Sequence, residues 1–130
     1  MIYYLRRLNS HTASAETFNI PVTSGTNINC GTICSISNGY LSPYRDSSKA
    51  NYLTLESKIS GDGKSHISCV RLAPEMVLKA TPCDSISDYK IGDNCSFYAN
   101  TEEITTGIGH SGNDAEVIGI ENNYVIFVLK

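Results

Sequence analysis

Apolar residues along this chain follow the period of a strand rather than that of a helix. No window of about eleven residues or more has apolar positions sustained at spacings of three and four. Gly, Ser, Thr and Asn interrupt the chain about every eight to twelve residues, a rhythm typical of short strands joined by turns. The pattern therefore predicts an all-β fold, a single-domain β-barrel or sandwich with at most one short helix.

The clearest hairpin joins residues 52–59 to residues 66–72. Residues 61–64, Gly-Asp-Gly-Lys, are suited to the tight turn between them. The alternation in the first strand also predicts which side chains face the core. Leu53, Leu55 and Ile59 are expected to point inward, and Thr54, Glu56 and Lys58 outward.

Other segments with a strand pattern flank this hairpin. Pro21 lacks an amide donor, which places the first of them at a sheet edge, and Gly31 predicts a bend in the second. Asn38-Gly39 is a strong turn signal. Pro74 would also suit the start of a short helix, but Pro82 would stop it after about two turns, so a strand is favoured there. The predicted strands are 18–22, 28–36, 74–80, 95–99, 101–106 and 115–120.

The last strand, residues 124–129, is apolar on both faces and follows the turn residues Asn122-Asn123. A strand with one face in water would alternate apolar and polar residues, so both of these faces require burial. Because the chain ends one residue later, we expect either that the fold wraps around its own C-terminus or that a neighbouring subunit covers one face. The pattern favours an assembled structural protein. The face predicted to contact a partner consists of Val125, Phe127 and Leu129.

Residues 1–17 are predicted to form an N-terminal arm ahead of a β-barrel or sandwich domain at 18–130. The arm begins with an apolar and aromatic stretch that would be poorly placed in water. Tyr and Arg are enriched where proteins meet proteins, because each joins a large contact area to a polar end. The alternative, which the sequence leaves open, is that the arm forms a strand on its own barrel. The candidates for partner contact in the arm are Tyr3, Tyr4, Arg6 and Arg7.

Charge and hydropathy narrow the class of partner. The formal net charge of −3 and the pI of about 5.5 argue against nucleic-acid binding, which requires a basic face. No apolar run approaches the roughly 20 residues that span a bilayer, so no membrane partner is expected. The N-terminus does not resemble a signal peptide, since its positive charge follows a short apolar patch. We expect a protein kept in a cytosol, with its five cysteines as buried free thiols.

Glycine-rich motifs in one segment do not predict a cofactor site. Residues 107–112 match G-x-G-x-x-G, but a dinucleotide site needs a helix after the loop, and residues 116–120 are strand-like. Residues 109–113 approach the G-x-S-x-G nucleophile elbow, but Asn113 replaces the final glycine. We therefore expect a flexible hairpin loop and no cofactor.

Cysteine and histidine patterns predict neither a catalytic nor a metal centre. On one extended strand, Cys30 and Cys34 would lie roughly 13 Å apart, too far for a disulfide or a shared zinc ion. Nothing in the spacing supports a hydrolase triad, which is defined by geometry rather than by sequence. The residues that would have to form one are Cys69 or Cys95 with His66 or His110 and Asp114. We therefore expect neither an enzyme nor a metalloprotein.

The order of turns and strands carries a resemblance that covers most of residues 18–130 in layout. The features that carry it are the N-terminal arm, the edge strand with Pro21, Gly25-Thr26, Gly31-Thr32, Ser37-Asn38-Gly39, residues 71–77 (Arg-Leu-Ala-Pro-Glu-Met-Val), Ile91-Gly92-Asp93, residues 115–120 and the terminal apolar strand. This layout is similar to that of small β-rich capsid decoration (cement) and head accessory proteins of tailed bacteriophages.

The resemblance implies a non-catalytic structural protein of the virion, found there and in the host cytoplasm. Such a protein would cap or staple symmetry axes of a capsid, often as a homotrimer, with its arm engaging the major capsid protein or a neighbouring copy. The alternative is a small β-sandwich binding module for a carbohydrate or peptide. In that module the stacking surfaces would be Tyr40, Tyr44 and Tyr52, although strand tyrosines are more often ordinary packing residues.

Overall fold

The computed structural model describes residues 1–8, 16–45, 49–59, 61–98, 103–105 and 115–130. Within these ranges the chain forms eleven strands and one short 3-10 helix, Ile86–Asp88. The predicted all-β class is confirmed. In the described part of the chain, no helix has the length and apolar character needed to span a bilayer. The strands are β1 (Ile2–Arg7), β2 (Thr17–Pro21), β3 (Ile33–Ser37), β4 (Tyr40–Pro43), β5 (Tyr52–Thr54), β6 (His66–Arg71), β7 (Met76–Ala80), β8 (Asn94–Phe97), β9 (Ile104–Thr105), β10 (Ala115–Glu121) and β11 (Tyr124–Leu129).

The strands form two antiparallel sheets, and the chain divides into two compact units that each contain one sheet. The strand order is β1-β7-β11-β10-β8-β9 in the first unit and β2-β6-β5-β3-β4 in the second. Of the described residues, the first unit contains 1–8, 73–98, 103–105 and 115–130, and the second contains 16–45, 49–59 and 61–72. The N-terminal strand and the last strand therefore belong to the same sheet.

The N-terminal segment is a strand of the first unit. β1 pairs antiparallel with β7, with a register shift between Tyr4 and Arg6 that is typical of a β-bulge. Leu8 extends this contact by donating its amide to the carbonyl of Glu75 at 2.7 Å. Of the two alternatives for the predicted arm, the structure shows self-docking for residues 2–7.

The C-terminal strand lies inside the sheet order, between β7 and β10. Val125 and Phe127 have no exposed surface, and Leu129 is 8% exposed. The Phe127 ring packs edge-to-face against Phe97, with 6.2 Å between the ring centroids. The prediction that Val125, Phe127 and Leu129 contact a partner is therefore wrong, because residues of the same chain bury them.

The sheet of the second unit closes on itself. Val22, which follows β2, forms a parallel bridge with Leu41 of β4, and the Thr23 amide donates to the Leu41 carbonyl at 2.9 Å. The two strands at the ends of the order are thereby joined, which limits the exposed edges. β2 is one of those end strands, which agrees with the prediction from Pro21 that this strand lies at the edge of a sheet. The core cluster of this unit consists of Ile20, Val22, Ile28, Cys34, Leu41, Ile67 and Cys69.

Turn residues adopt the backbone geometry that their sequence predicts. Asn38 and Gly39, between β3 and β4, have φ values of 52° and 84°, and Asn122, between β10 and β11, has a φ of 56°. Asn and Gly adopt this left-handed region more readily than other residues do. In the turn before β6, the Asp62 carboxylate accepts the Ser65 amide at 2.6 Å, and this bond is the main reason that the pKa of Asp62 lies well below its usual value.

The first strand of the hairpin predicted from residues 52–59 and 66–72 is shorter than expected. β5 ends at Thr54, and Leu55 and Ile59, which were expected to point inward, are 41% and 79% exposed. Thr54 was expected outward and is buried. Its hydroxyl donates to the Asn29 carbonyl at 2.7 Å and accepts the Thr32 amide at 3.0 Å. These bonds tie β5 to the turn before β3, and the alternation of the strand stops there.

The segment after Pro74 is a strand, β7, which confirms the preferred interpretation over a helix. The short edge strand predicted within 101–106 is also present as β9, at the end of its sheet. β7 begins after an unusual turn in which Glu75 has a φ of 71°, a left-handed conformation that is rare for a residue with a Cβ. The Glu75 amide donates to the Leu129 carbonyl at 3.0 Å, so β11 helps to hold this conformation.

Candidate interaction surface

The first sheet has one face directed toward its buried core and a second face directed away from that core. Residues paired across an antiparallel sheet share a face, so the pairings of β1, β7, β11 and β10 define the second one, here called the outer face. Apart from Val77, which is buried, its side chains are exposed or half-buried. The outer face consists of Tyr3, Arg6, Val77, Lys79, Glu116, Glu121, Tyr124, Ile126 and Val128.

An aromatic and cationic cluster lies on the outer face. The rings of Tyr3 and Tyr124 meet edge-to-face, with their centroids 6.1 Å apart and their planes at 71°. The Nζ atom of Lys79 lies 5.4 Å from the Tyr3 centroid and 4.8 Å from the Tyr124 centroid. Both distances are within the roughly 6 Å over which a ring face attracts a cation. The cluster joins three neighbouring strands and leaves Tyr3 38% exposed.

Charges on the outer face are separated by strand. The cations Arg6 and Lys79 lie on β1 and β7, and the carboxylates Glu116 and Glu121 lie on β10. β11 runs between the two groups and contributes two aliphatic side chains and a tyrosine to the face. The outer face is therefore cationic along one side, apolar in the middle and anionic along the other side.

The four contact candidates of the N-terminal segment are divided between two faces. Tyr3 and Arg6 pair with Lys79 and Val77, so they lie on the outer face. Tyr4 and Arg7 pair with core-facing residues of β7 and lie on the opposite face. Partner contact therefore stays a prediction for all four, and the structure places only Tyr3 and Arg6 beside the apolar stripe of β11.

Sequence reasoning missed most of the outer face. The alternation in β11 correctly places Tyr124, Ile126 and Val128 on one face of the strand. Because both faces are apolar, however, the sequence does not show which face packs against the core. No local signal identifies Lys79 as a ring contact, because its two tyrosine partners come from strands at opposite ends of the chain.

The three tyrosines of the alternative binding module do not form a common exposed surface. Tyr44 is buried, and Tyr52 is half-buried and packs edge-to-face against Phe18, with 6.1 Å between the centroids. Both rings of that pair lie against the core of the second unit. Tyr40, beside the turn between β3 and β4, is 39% exposed. The structure thus assigns packing roles to Tyr44 and Tyr52.

All five cysteines are free thiols, but they are not all buried as predicted. Cys83 is exposed and Cys30 is half-buried, because both lie in turns rather than on strands. Burial raises the pKa of the Cys34 thiol to about 12 and that of Cys69 to about 11, so both are protonated near neutral pH. Across the described ranges, no group of three or more His, Cys, Asp or Glu residues is arranged to hold a metal ion.

The histidine and cysteines considered for catalysis differ in their exposure to solvent. His66 is exposed at the start of β6, and Cys69 and Cys95 have no exposed surface. His110, Asp114 and the whole of the glycine-rich segment 107–112 lie outside the described residues. Among the titratable groups that are described, Tyr89 is buried and donates its hydroxyl to Asp84, and burial is the main reason that its pKa is raised. This tyrosine is a packing residue of the first unit.

The outer face is therefore the candidate site on which function is argued. It combines aromatic rings, aliphatic side chains and separated charges on one face of a sheet, a combination that is found where proteins meet proteins. When the chain is compared with protein-family models, with curated proteins and with solved structures, none of the three comparisons finds a match.

Proposed function

We propose that this protein is a non-enzymatic structural protein of a virion, which stabilises a capsid by associating with further copies of itself and by docking on the capsid shell. The observation that carries the proposal is the outer face of the first sheet, where Tyr3, Tyr124, Ile126 and Val128 stay partly open to solvent. The layout resemblance to capsid decoration proteins supports the same conclusion. A trimer is the stoichiometry that this resemblance implies, and the major capsid protein is the partner.

Physical arguments favour association through this face. Contact surfaces are rich in tyrosine and arginine, and an apolar patch that is rimmed by charges marks an interaction site. Removal of such a patch from water stabilises the assembly through the hydrophobic effect. The modest net charge of −3 does not oppose the approach of several copies.

The self-association is tested by measuring molar mass with size-exclusion chromatography and light scattering. We expect the wild-type mass to be a multiple of the 14.1 kDa of one chain. Ile126→Asp places a carboxylate in the apolar stripe and is expected to lower the mass. Ile59→Asp is the matched control, since Ile59 is 79% exposed and belongs to the second unit, whereas the outer face belongs to the first.

Docking on the shell is tested by co-sedimentation with capsids assembled from a major capsid protein of a tailed bacteriophage. We expect the wild-type protein and Ile59→Asp to sediment with the shells. A wild-type protein that is monomeric at every concentration and stays in the supernatant would overturn the proposal. A monomer that still sediments with shells would retain the docking role and remove the self-association.

A further inference from the structure

One row of the outer face runs across four strands and has opposite charges at its two ends. Arg6 pairs with Val77, Val77 pairs with Val128, and Val128 pairs with Glu116. Since adjacent strands lie about 4.8 Å apart, the backbones of Arg6 and Glu116 are separated by about 14 Å along the row. Val77 is buried, so the row presents a cation, the half-buried Val128 and a carboxylate, in that order.

This order is complementary to itself under a two-fold rotation. Consider a two-fold axis that lies between two facing copies, parallel to the strands and midway between β7 and β11. Rotation about this axis reverses the order of the row, from β1 to β10, on the second copy. Arg6 then lies opposite Glu116 of the second copy, and Val128 lies opposite the β7 position of the buried Val77. An axis across the strands would instead place cations over cations, which costs free energy. The charge pattern therefore selects one of the two face-to-face arrangements.

We infer that the outer face binds a second copy of this chain, face to face, about the two-fold axis that runs along the strands. The inference rests on the proposed self-association and names its surface and its geometry. Lys79 pairs with Ile126 and Glu121 pairs with Tyr124, so these two charges lie in different rows, and the charged contact of the pairing consists of Arg6 and Glu116.

Apolar and charged side chains have different roles in this contact. Facing sheets pack about 10 Å apart, a separation that an arginine and a glutamate can bridge with their side chains. Apolar burial of Ile126 and Val128 supplies the attraction, and the charges set the orientation. Such a contact is isologous and joins copies in pairs, so it produces a dimer, or a hexamer where trimers form through another surface.

Charge reversal tests the pairing directly. Arg6→Glu places two carboxylates opposite each other in every pair, and Glu116→Arg places two guanidinium groups opposite each other. We expect each variant alone to have half the wild-type molar mass. When the two variants are mixed in equal amounts, every contact becomes a carboxylate facing a guanidinium, so we expect the mixture to recover the wild-type mass. The double variant Arg6→Glu with Glu116→Arg is expected to do the same by itself.

Each outcome separates the inference from the proposed function. A wild-type oligomer whose mass neither reversal changes would overturn the pairing and leave self-association through another surface. Reversals that halve the mass without recovery in the mixture would overturn the two-fold geometry. If urea unfolding shows that a reversed variant does not fold, Arg6→Gln or Glu116→Gln replaces it, because each removes a charge without adding one. Each is expected to weaken pairing about tenfold. A monomeric wild type that sediments with shells would overturn this inference together with the self-association, and it would retain the docking role.

Discussion

The ammonium group of Lys79 lies 4.8 Å from the centre of the Tyr124 ring. The same group lies 5.4 Å from the ring of Tyr3, and the two rings meet edge-to-face. Lys79 is on β7, which separates the strands that carry the two tyrosines. The cluster therefore links the first strand of the chain to the last one through a side chain between them.

Replacement of Lys79 by methionine keeps the length of the side chain and removes its charge. Each contact of a cation with an exposed ring contributes about 0.5–1 kcal/mol, so we expect Lys79→Met to lower the free energy of unfolding by about 1 kcal/mol. Urea denaturation followed by tyrosine fluorescence measures the change. Lys90→Met serves as the control, because Lys90 is an exposed lysine of the same unit. An equal loss in both variants would show that the rings do not bind the ammonium group.

Glu75 is expected to be less favourable than glycine at its own position. Its φ of 71° is in the left-handed region, which costs a residue with a Cβ about 1–2 kcal/mol. After allowance for the greater freedom of glycine in the unfolded chain, Glu75→Gly should raise the free energy of unfolding by about 1 kcal/mol. Glu75→Ala removes the same charge and keeps the Cβ. If alanine stabilised the protein as much as glycine, the charge rather than the backbone would be the cause.

Two buried threonines, Thr54 at the end of β5 and Thr32 just before β3, should respond oppositely to the same change. The Thr54 hydroxyl binds the Asn29 carbonyl and the Thr32 amide, so Thr54→Val leaves both unpaired and should cost about 2 kcal/mol. Within the described residues the Thr32 hydroxyl is buried without a hydrogen-bond partner, so Thr32→Val should be neutral or stabilising. Thermal unfolding of both variants distinguishes them. A comparable loss at both positions would contradict the assigned bonds.

The buried thiols of the second unit should make stability fall in alkaline solution. Cys34 has a folded pKa of about 12 against 9.0 for an unperturbed thiol, and that of Cys69 is about 11. A raised folded pKa means that the stabilisation is complete below pH 9.0 and is lost as the pH rises toward the folded pKa. Between about pH 8 and about pH 10 we expect Cys34 alone to account for a loss of about 1.4 kcal/mol.

Cys34→Ala provides the comparison for that pH dependence. It is expected to lower the free energy of unfolding at neutral pH by about 1 kcal/mol through lost packing, and to flatten the alkaline decline. Urea titrations at several pH values measure both effects. An alkaline slope that is the same in the wild type and in Cys34→Ala would show that ionisation of this thiol is not linked to unfolding.

Local features of the fold were predictable because short-range chemistry determines them. The turn at Asn38-Gly39 needs residues that tolerate a positive φ, and only neighbouring backbone atoms decide that. Strand character after Pro74 and in residues 115–120 likewise follows from the side chains of each segment. The prediction that Thr54 points outward was wrong because of a long-range contact. Its hydroxyl donates to a carbonyl in a turn far away in sequence, and this bond interrupts the alternation.

The candidate surface was predictable only in part. The sequence identified Tyr3 and Arg6 as contact candidates, but it could not join them to Lys79 or Glu116, because strand order brings these residues to one face. The glycine-rich segment 107–112 lies outside the described residues, so its interpretation as a hairpin loop stays a prediction.

By itself, the sequence determined that the chain is built from short strands and tight turns, and that both faces of its last strand are apolar. Only the tertiary structure decided that Phe127 faces the core while Ile126 faces outward, and that the second sheet closes through Val22 and Leu41. The physical reason is the range of the interactions. The period of a strand depends on adjacent side chains, whereas the face that meets a core depends on which distant strands pair beside it.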